Sequence, residues 1–258
     1  MAVLAHPDDE SLGVGGTLAK YAAEGVEVFV VTATRGEAGR FRGHRQGEPQ
    51  HPGPVTLANI RERELRAAAV VLGVREVSFL GYKDQQLDRA DPRESIGRIV
   101  DKMRQVRPDV VVTFGPDGAY GHPDHIAISQ FTTAAVVAAA GAGFACSKLY
   151  YIAWPRSTWD AYESAIRTLS STVDGVERHA TAWPDWSITT AIDTEEFWPT
   201  VWKAVSCHES QLAGYDRLRD LPAEHHRALW GRQSFYRVSS LVNGGRARET
   251  DLFEGIAR

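Results

Sequence analysis

The sequence predicts an α/β fold, a mostly parallel sheet with helices on both faces. Three observations carry that expectation. Short apolar runs alternate with stretches of helical periodicity, β-α-β-α-β-α-β-α, as far as Ala140. The runs are largely apolar rather than alternating, as suits strands covered on both sides. Polar clusters stand directly after several of these runs, where open parallel sheets bind their ligands.

The first run, Val3-Leu4-Ala5, is short for a strand, which raises the expectation that residues have been lost from the start. In 11–24, Leu12, Leu18, Tyr21 and Ala22 recur at helical spacing, and Gly25 supplies a stop. Gly13, Gly15 and Gly16 in its first turns do not complete a G-x-G-x-x-G fingerprint, so close helix packing is expected there rather than a phosphate site. Residues 26–32 form the second strand. The loop that follows, 33–55, is rich in Gly, Arg, His and Pro, and loops of that length are usually functional or mobile. A helix over 56–72 ends at Gly73. The third strand, 77–80, leads to a loop carrying Asp84, and Pro92 and Glu94 open a third helix through Gln105. Residues 109–114 are the clearest buried strand, followed by a helix from about 126 to 140. Further on, 149–152 and 188–192 read as strands, and 158–169 and 195–212 as helices. Six of the seven Trp lie at 154, 159, 183, 186, 198 and 202. Packing accounts for most of them; that one or two line a sugar-sized pocket is the lesser alternative.

With 258 residues, 43% hydrophobic and 24% charged, the chain can bury a full core in one large domain. A net charge of -4 gives no basic footprint, so nucleic acid is not an expected partner. No apolar run approaches the roughly 18 residues of a membrane span, and no signal-peptide pattern opens the chain. Cys146 and Cys207 show no paired spacing and read as free thiols in a reducing compartment, which makes the cytoplasm the expected location. Oligomeric state stays open, a homo-oligomer included.

The chemistry gathers in two clusters. Ala5-His6-Pro7-Asp8-Asp9-Glu10 packs one imidazole and three carboxylates into five positions, and Tyr120-Gly121-His122-Pro123-Asp124-His125 lies far downstream. Burying so many ionisable groups is costly unless a cation compensates. Zinc accepts His nitrogen and carboxylate oxygen, and a catalytic zinc keeps one position open for water. His6 and Asp9 are close enough to hold one ion. His125, at the loop-to-helix junction, is the better third donor, with His122 and Asp124 around it or over the substrate. Asp8 stands where a base for the water would be needed. Iron or manganese would accept the same sulfur-poor donor set. Each cluster alone could instead be a helix cap; two on one rim favour a shared metal site.

At these residues the sequence resembles the zinc-dependent N-acetylglucosaminyl deacetylases, the LmbE-like or PIG-L-like family. That family's A-H-P-D-D-E stands as Ala5 to Glu10. Its second motif, loosely G-x-G-H-P-D-H, stands at 118–125, with Tyr120 and His122 in place. Smaller matches are Thr34-Arg35-Gly36-Glu37, the pair Arg61 and Glu64 at R-x-x-E, Leu80-Gly81-Tyr82-Lys83-Asp84, and His208-Glu209-Ser210-Gln211 at H-x-S-Q. The resemblance implies a Rossmann-like fold in a single domain, 1–258, with its core in 1–145 and substrate-pocket and C-terminal elements in 146–258. It implies one Zn2+ per chain held by His6, Asp9 and His125, with Asp8 as general base. It further implies His122 and Tyr120 at the oxyanion or leaving amine, Asp124 orienting a histidine, and Arg61, Asp84 and Glu37 contacting the sugar. The expected reaction removes acetate from an N-acetylglucosamine-type sugar or glycoconjugate. The alternatives are an amidase on a thiol conjugate of such a sugar, a tailoring deacetylase of a glycosylated natural product, and a non-catalytic nucleotide-binding module.

Overall fold

Strand β1 (Ala2–Leu4) is buried along its whole length inside a seven-stranded sheet, although it has only three residues. Its neighbours are β2 (Phe29–Thr32) on one side and β4 (Val110–Phe114) on the other, both parallel to it. The sheet order is β3-β2-β1-β4-β5-β9-β8, with β3 at Glu76–Phe79, β5 at Lys148–Ile152, β8 at Thr190–Asp193 and β9 at Arg232–Ser240. The first five are parallel; β9 and β8 close the edge antiparallel. In this computed structural model all residues are described except 166–169, 174, 215, 246 and 258.

Helices α1 (Asp9–Ala23) and α2 (Pro54–Val71) connect the strands running away from β1 on one side, while α3 (Pro92–Val106) and, after the short α4 (Gly118–Gly121), α5 (Pro123–Gly141) connect those on the other. Right-handed crossovers therefore place the two pairs on opposite faces, and α3 packs against α5. The remaining elements are α6 (Arg156–Ala165), the hairpin β6 (Ser170–Val173) and β7 (Val176–His179), α7 (Trp198–Ser206), α8 (Asp216–Arg219) and α9 (Ala223–Trp230). Helix α7 packs on both α1 and α2. Two glycines of α1 allow close approach, Gly15 to α7 and Gly16 to Thr194 ahead of it. A Cβ on Gly16 would stand 2.8 Å from the Thr194 Cβ, and one on Gly15 3.3 Å from Val201. The expected packing role is met for Gly15 and Gly16, whereas Gly13 has only ordinary contacts with Ile152 and Trp154.

Several boundaries differ from the sequence expectation. Helix α5 begins at Pro123, not near 126, because Pro at the first helical position needs no N–H partner and His122 caps the turn. The expected helix over 195–212 is a 3-10 turn, Glu195–Phe197, followed by α7, which stops at Ser206. Beyond it, Ser210 donates its N–H to Glu64 (2.7 Å) rather than back along a helix. The second strand starts at Phe29 rather than 26, and the last four residues of the helix expected at 158–169 lie outside the described residues. No helix among the described residues is long and apolar enough to cross a membrane.

Because β1 leads one way to β2 and β4 lies on its other side, the chain has a switch point between β1 and β4. Open α/β sheets bind ligands in the crevice beyond such a point. His6 follows β1, and residues 118–125 follow β4. The two clusters, over a hundred residues apart in sequence, therefore meet.

Candidate active site

A cavity of about 220 Å³ opens at this crevice. His6, Asp8, Asp9, Tyr120, His122 and His125 all line it, as do Arg61 and Asp84. Leu12, Phe114, Trp154 and Tyr162 add an apolar and aromatic wall. Trp154 is thus one Trp of the C-terminal part that reaches a sugar-sized pocket.

Three donors converge on its floor. His6 Nδ1 lies 3.2 Å from His125 Nε2. Asp9 presents Oδ1 at 3.5 Å from His125 Nε2 and Oδ2 at 3.8 Å from His6 Nδ1. Four donors around zinc at bond lengths of about 2.0–2.1 Å stand roughly 3.3 Å apart; the His6–His125 spacing suits one ion, and Asp9 approaches the two rings through different oxygens. The donors are fixed from behind. Asp9 Oδ2 accepts the N–H groups of Ala5 (3.1 Å) and His6 (2.8 Å). His6 Nε2 faces Asp84 Oδ1 at 3.1 Å and Asp124 Oδ2 at 3.2 Å, the carboxylate support common behind metal-binding imidazoles. Phe114 stacks flat on the His125 ring, centroids 3.9 Å apart.

The electrostatics also fit a cation. Burial pushes the Asp9 carboxyl up to about 7, against the pull of His6. Burial opposes protonation of His6, yet Asp84, Asp124 and Asp9 outweigh it and hold its pKa well above the imidazole range. Burial, then His122 and His6, drive His125 well below that range, leaving it a neutral acceptor. The carboxylates of Asp9, Asp84 and Asp124 around His6 make a buried negative cluster that a divalent ion, taking the place of the imidazole proton, would balance. Two donor groups lie within 4.8 Å of one another: His6 with His122 and His125, and His6 with Asp84 and Asp124. The second is already committed to hydrogen bonds, since Asp124 accepts from Gln85 N (2.7 Å) and Leu87 N (3.1 Å), and Asp84 from Ala38 N (3.0 Å).

The other expected site residues separate into cavity walls and supports. His122 caps α5, its Nδ1 accepting the Asp124 N–H at 3.2 Å, so the neutral ring carries its proton on Nε2. Burial and the neighbouring His6 lower its pKa to about 4, which keeps it neutral. Tyr120 meets His125 edge-on at 5.4 Å, and burial, then Asp9, push its phenol far up, so it stays protonated. Asp124 is fully buried behind His6 and does not line the cavity. Arg61 lines the cavity but is 4% exposed. Its guanidinium bonds Asp8 Oδ2 (3.1 Å), Gly36 O (2.9 Å) and Pro7 O. Asp84 sits against His6. Burial pushes its carboxyl up, but His6 and Arg61 outweigh that and hold it far below the usual range. Glu37, expected at the sugar, stands outside the cavity wall; its Oε1 accepts the Asp84 N–H at 3.0 Å.

Asp8 itself holds φ 101° at the start of α1 without capping the helix by its side chain. A non-glycine residue held there is strained, and such strain is typical of functional positions. Burial raises its pKa, opposed first by Arg61 and then by His208. Sequence reasoning gave no role to Glu10, His208 or Gln211. Glu10 and His208 form a buried pair, Oε1 to Nε2 2.8 Å, and Gln211 lines the cavity. The only signal for them was the A-H-P-D-D-E and H-x-S-Q matches; nothing local to either residue marks the contact.

Comparison with known proteins agrees with this geometry. Residues 1–136 match the family model PIG-L, described as GlcNAc-PI de-N-acetylase. The 1D-myo-inositol 2-acetamido-2-deoxy-alpha-D-glucopyranoside deacetylase of Kineococcus radiotolerans is 35% identical over 99% of this chain and 82% of that protein. The enzyme of the same name from Rhodococcus jostii is 33% identical over 99% of this chain and 97% of its own. Among solved structures, the conserved protein TT1542 of Thermus thermophilus aligns with TM-score 0.64 at 25% identity, covering 94% of this chain and 95% of its own. The N,N'-diacetylchitobiose deacetylase of Pyrococcus horikoshii aligns with TM-score 0.66 at 20% identity, over 92% and 82%; that likeness speaks for the fold. With the family model matched over the motif-bearing half and full-length relatives at such identity, the chain belongs to the PIG-L family of metal-dependent deacetylases and is a hydrolase of the N-acetyl amide.

Proposed function

We propose that the protein removes acetate from an N-acetylglucosaminyl-inositol or a close glycoconjugate, with one zinc ion held by His6, Asp9 and His125. The observation that carries the reading is the convergence of His6 Nδ1, His125 Nε2 and the Asp9 carboxylate beside Asp8 on the floor of one cavity. A divalent ion held there supplies Lewis acidity at the amide carbonyl and favours deprotonation of water. Asp8 accepts the proton of the attacking water. His122, neutral with its proton on Nε2, and Tyr120 donate to the oxygen that gains charge as the carbonyl is attacked. Asp8 or His122 returns a proton to the leaving amine, which must depart neutral. Asp124 holds His6 in place. Arg61 and Asp84, on the cavity wall, meet the sugar as well as their protein partners, and Glu37 supports Asp84 from behind. Walls drawn from both 1–145 and 146–258 support one domain, and two free cysteines accord with the cytoplasm.

The test is amide hydrolysis by the zinc-loaded protein, read as acetate from N-acetylglucosaminyl-inositol and simple N-acetylglucosaminides and as free sugar amine from a thiol-conjugate amide. The inositol glycoside should be turned over with the highest kcat/KM. Turnover of the thiol conjugate alone would move the assignment to the amidase alternative, and hydrolysis of no member would refute both.

A further inference from the structure

Beyond the residues assigned above, the structure contains a buried link from the far end of the chain to the strained Asp8. Glu10 is 1% exposed and uses both oxygens. Its Oε2 accepts the Asp8 backbone N–H at 3.0 Å. Its Oε1 accepts from Ser11 Oγ at 2.6 Å and from His208 Nε2 at 2.8 Å. His208, also 1% exposed, follows α7, and its Nδ1 has no hydrogen-bond partner among the described residues. The Glu10 bond is therefore the hydrogen bond that orients this ring. The turn carrying His208 is itself anchored, since Glu64 accepts from Ser210 N and Oγ, both at 2.7 Å.

We propose that His208 and Glu10 act as positioning residues for Asp8. His208 fixes the Glu10 carboxylate, and Glu10 holds the Asp8 backbone at φ 101°, so that its side chain faces the cavity. The inference rests on the reading of Asp8 as the base. A non-glycine residue left without such a hold relaxes toward a common backbone conformation. That would rotate the carboxylate away from the water. A displacement near 1 Å at a reacting group costs about 10²-fold in rate. Neither residue touches the three proposed metal donors by side chain, so the metal should stay.

Four single variants and one double variant test this in the zinc-loaded protein. Glu10→Ala and His208→Ala should each lower kcat by about 10- to 10²-fold, with KM and zinc content near parental. The double variant should lose no more than the worse single variant, because the two residues form one unit. Glu10→Gln keeps an oxygen acceptor for the Asp8 N–H, and His208→Gln keeps a donor N–H for Glu10; both should recover most of the lost kcat. A merely structural pair would lower the Tm and zinc content without this selective kcat effect. Parental kcat in both Ala variants, or Gln variants as slow as the Ala ones, overturns the proposal. If the parent protein itself releases no acetate, the functional reading fails instead, which separates the two outcomes.

Discussion

Arg61 and Asp8 form a buried ion pair, Nη2 to Oδ2 3.1 Å, between side chains only 5% and 15% exposed. The pair joins the middle of α2 to the residue that starts α1. An arginine in this position sets the direction of the Asp8 carboxylate and opposes the rise in its pKa caused by burial. Arg61 was expected at the sugar; the ion pair gives it a second task. Arg61→Ala should therefore lower kcat as well as raise KM, with zinc retained. Arg61→Lys should recover little, since an ammonium cannot bridge Asp8, Pro7 and Gly36 together. Steady-state kinetics with metal analysis check both variants.

Asp8→Asn keeps the shape and most hydrogen bonding but cannot take a proton. Its kcat should fall by about 10²- to 10⁴-fold with zinc and substrate binding near parental. A helix cap would tolerate Asn and leave activity intact. The absence of a capping bond from the Asp8 side chain already argues against that role.

Much of this arrangement was legible because its parts are contiguous. The apolar runs at 29–32 and 110–114, each followed by a polar cluster, announced parallel strands with a shared rim. Strand β9 escaped notice because Arg232–Ser240 mixes polar and apolar residues and finds its place only between β5 and β8. The proposed donor set rests on two short motifs. The Arg61–Asp8 and His208–Glu10 contacts were not, since they span 53 and 198 residues and depend on how α2 and the turn after α7 dock on α1. The capping alternative for the second cluster holds for His122, which caps α5 and also lines the cavity.

Gly36 should tolerate no side chain. It has φ 66°, and a Cβ there would collide with the Arg61 guanidinium. Gly36→Ala should cost about 1–2 kcal/mol in backbone strain, and the shift it forces on Arg61 should lower kcat. Urea unfolding and kinetics measured on the same preparation separate these two effects.

Away from the cavity, Glu249 binds the C-terminal segment to the sheet. It accepts from Lys148 (2.7 Å), Arg237 (2.7 Å), Tyr150 (2.8 Å), Thr190 (2.6 Å) and Asn243 (2.7 Å), with Lys148 fully buried. Burial raises the Glu249 pKa, but these bonds, led by Lys148, outweigh it and hold it at about 2. A depressed carboxylate contributes stability above its unfolded pKa and loses it as pH falls through the folded one. That contribution should therefore fade between about pH 4.5 and 2. Glu249→Ala should cost about 3–5 kcal/mol by leaving Lys148 unpaired and should remove the pH dependence in that window. Urea titrations over that pH range check it.

The assembled metal centre is tested most directly by zinc content after loading and desalting, compared between the parent, His125→Ala and His122→Ala. The parent and His122→Ala should hold about one zinc per chain. His125→Ala should lose most of it, because two remaining donors do not retain the ion. A full equivalent of zinc in His125→Ala would contradict a site built jointly from the loops after β1 and β4.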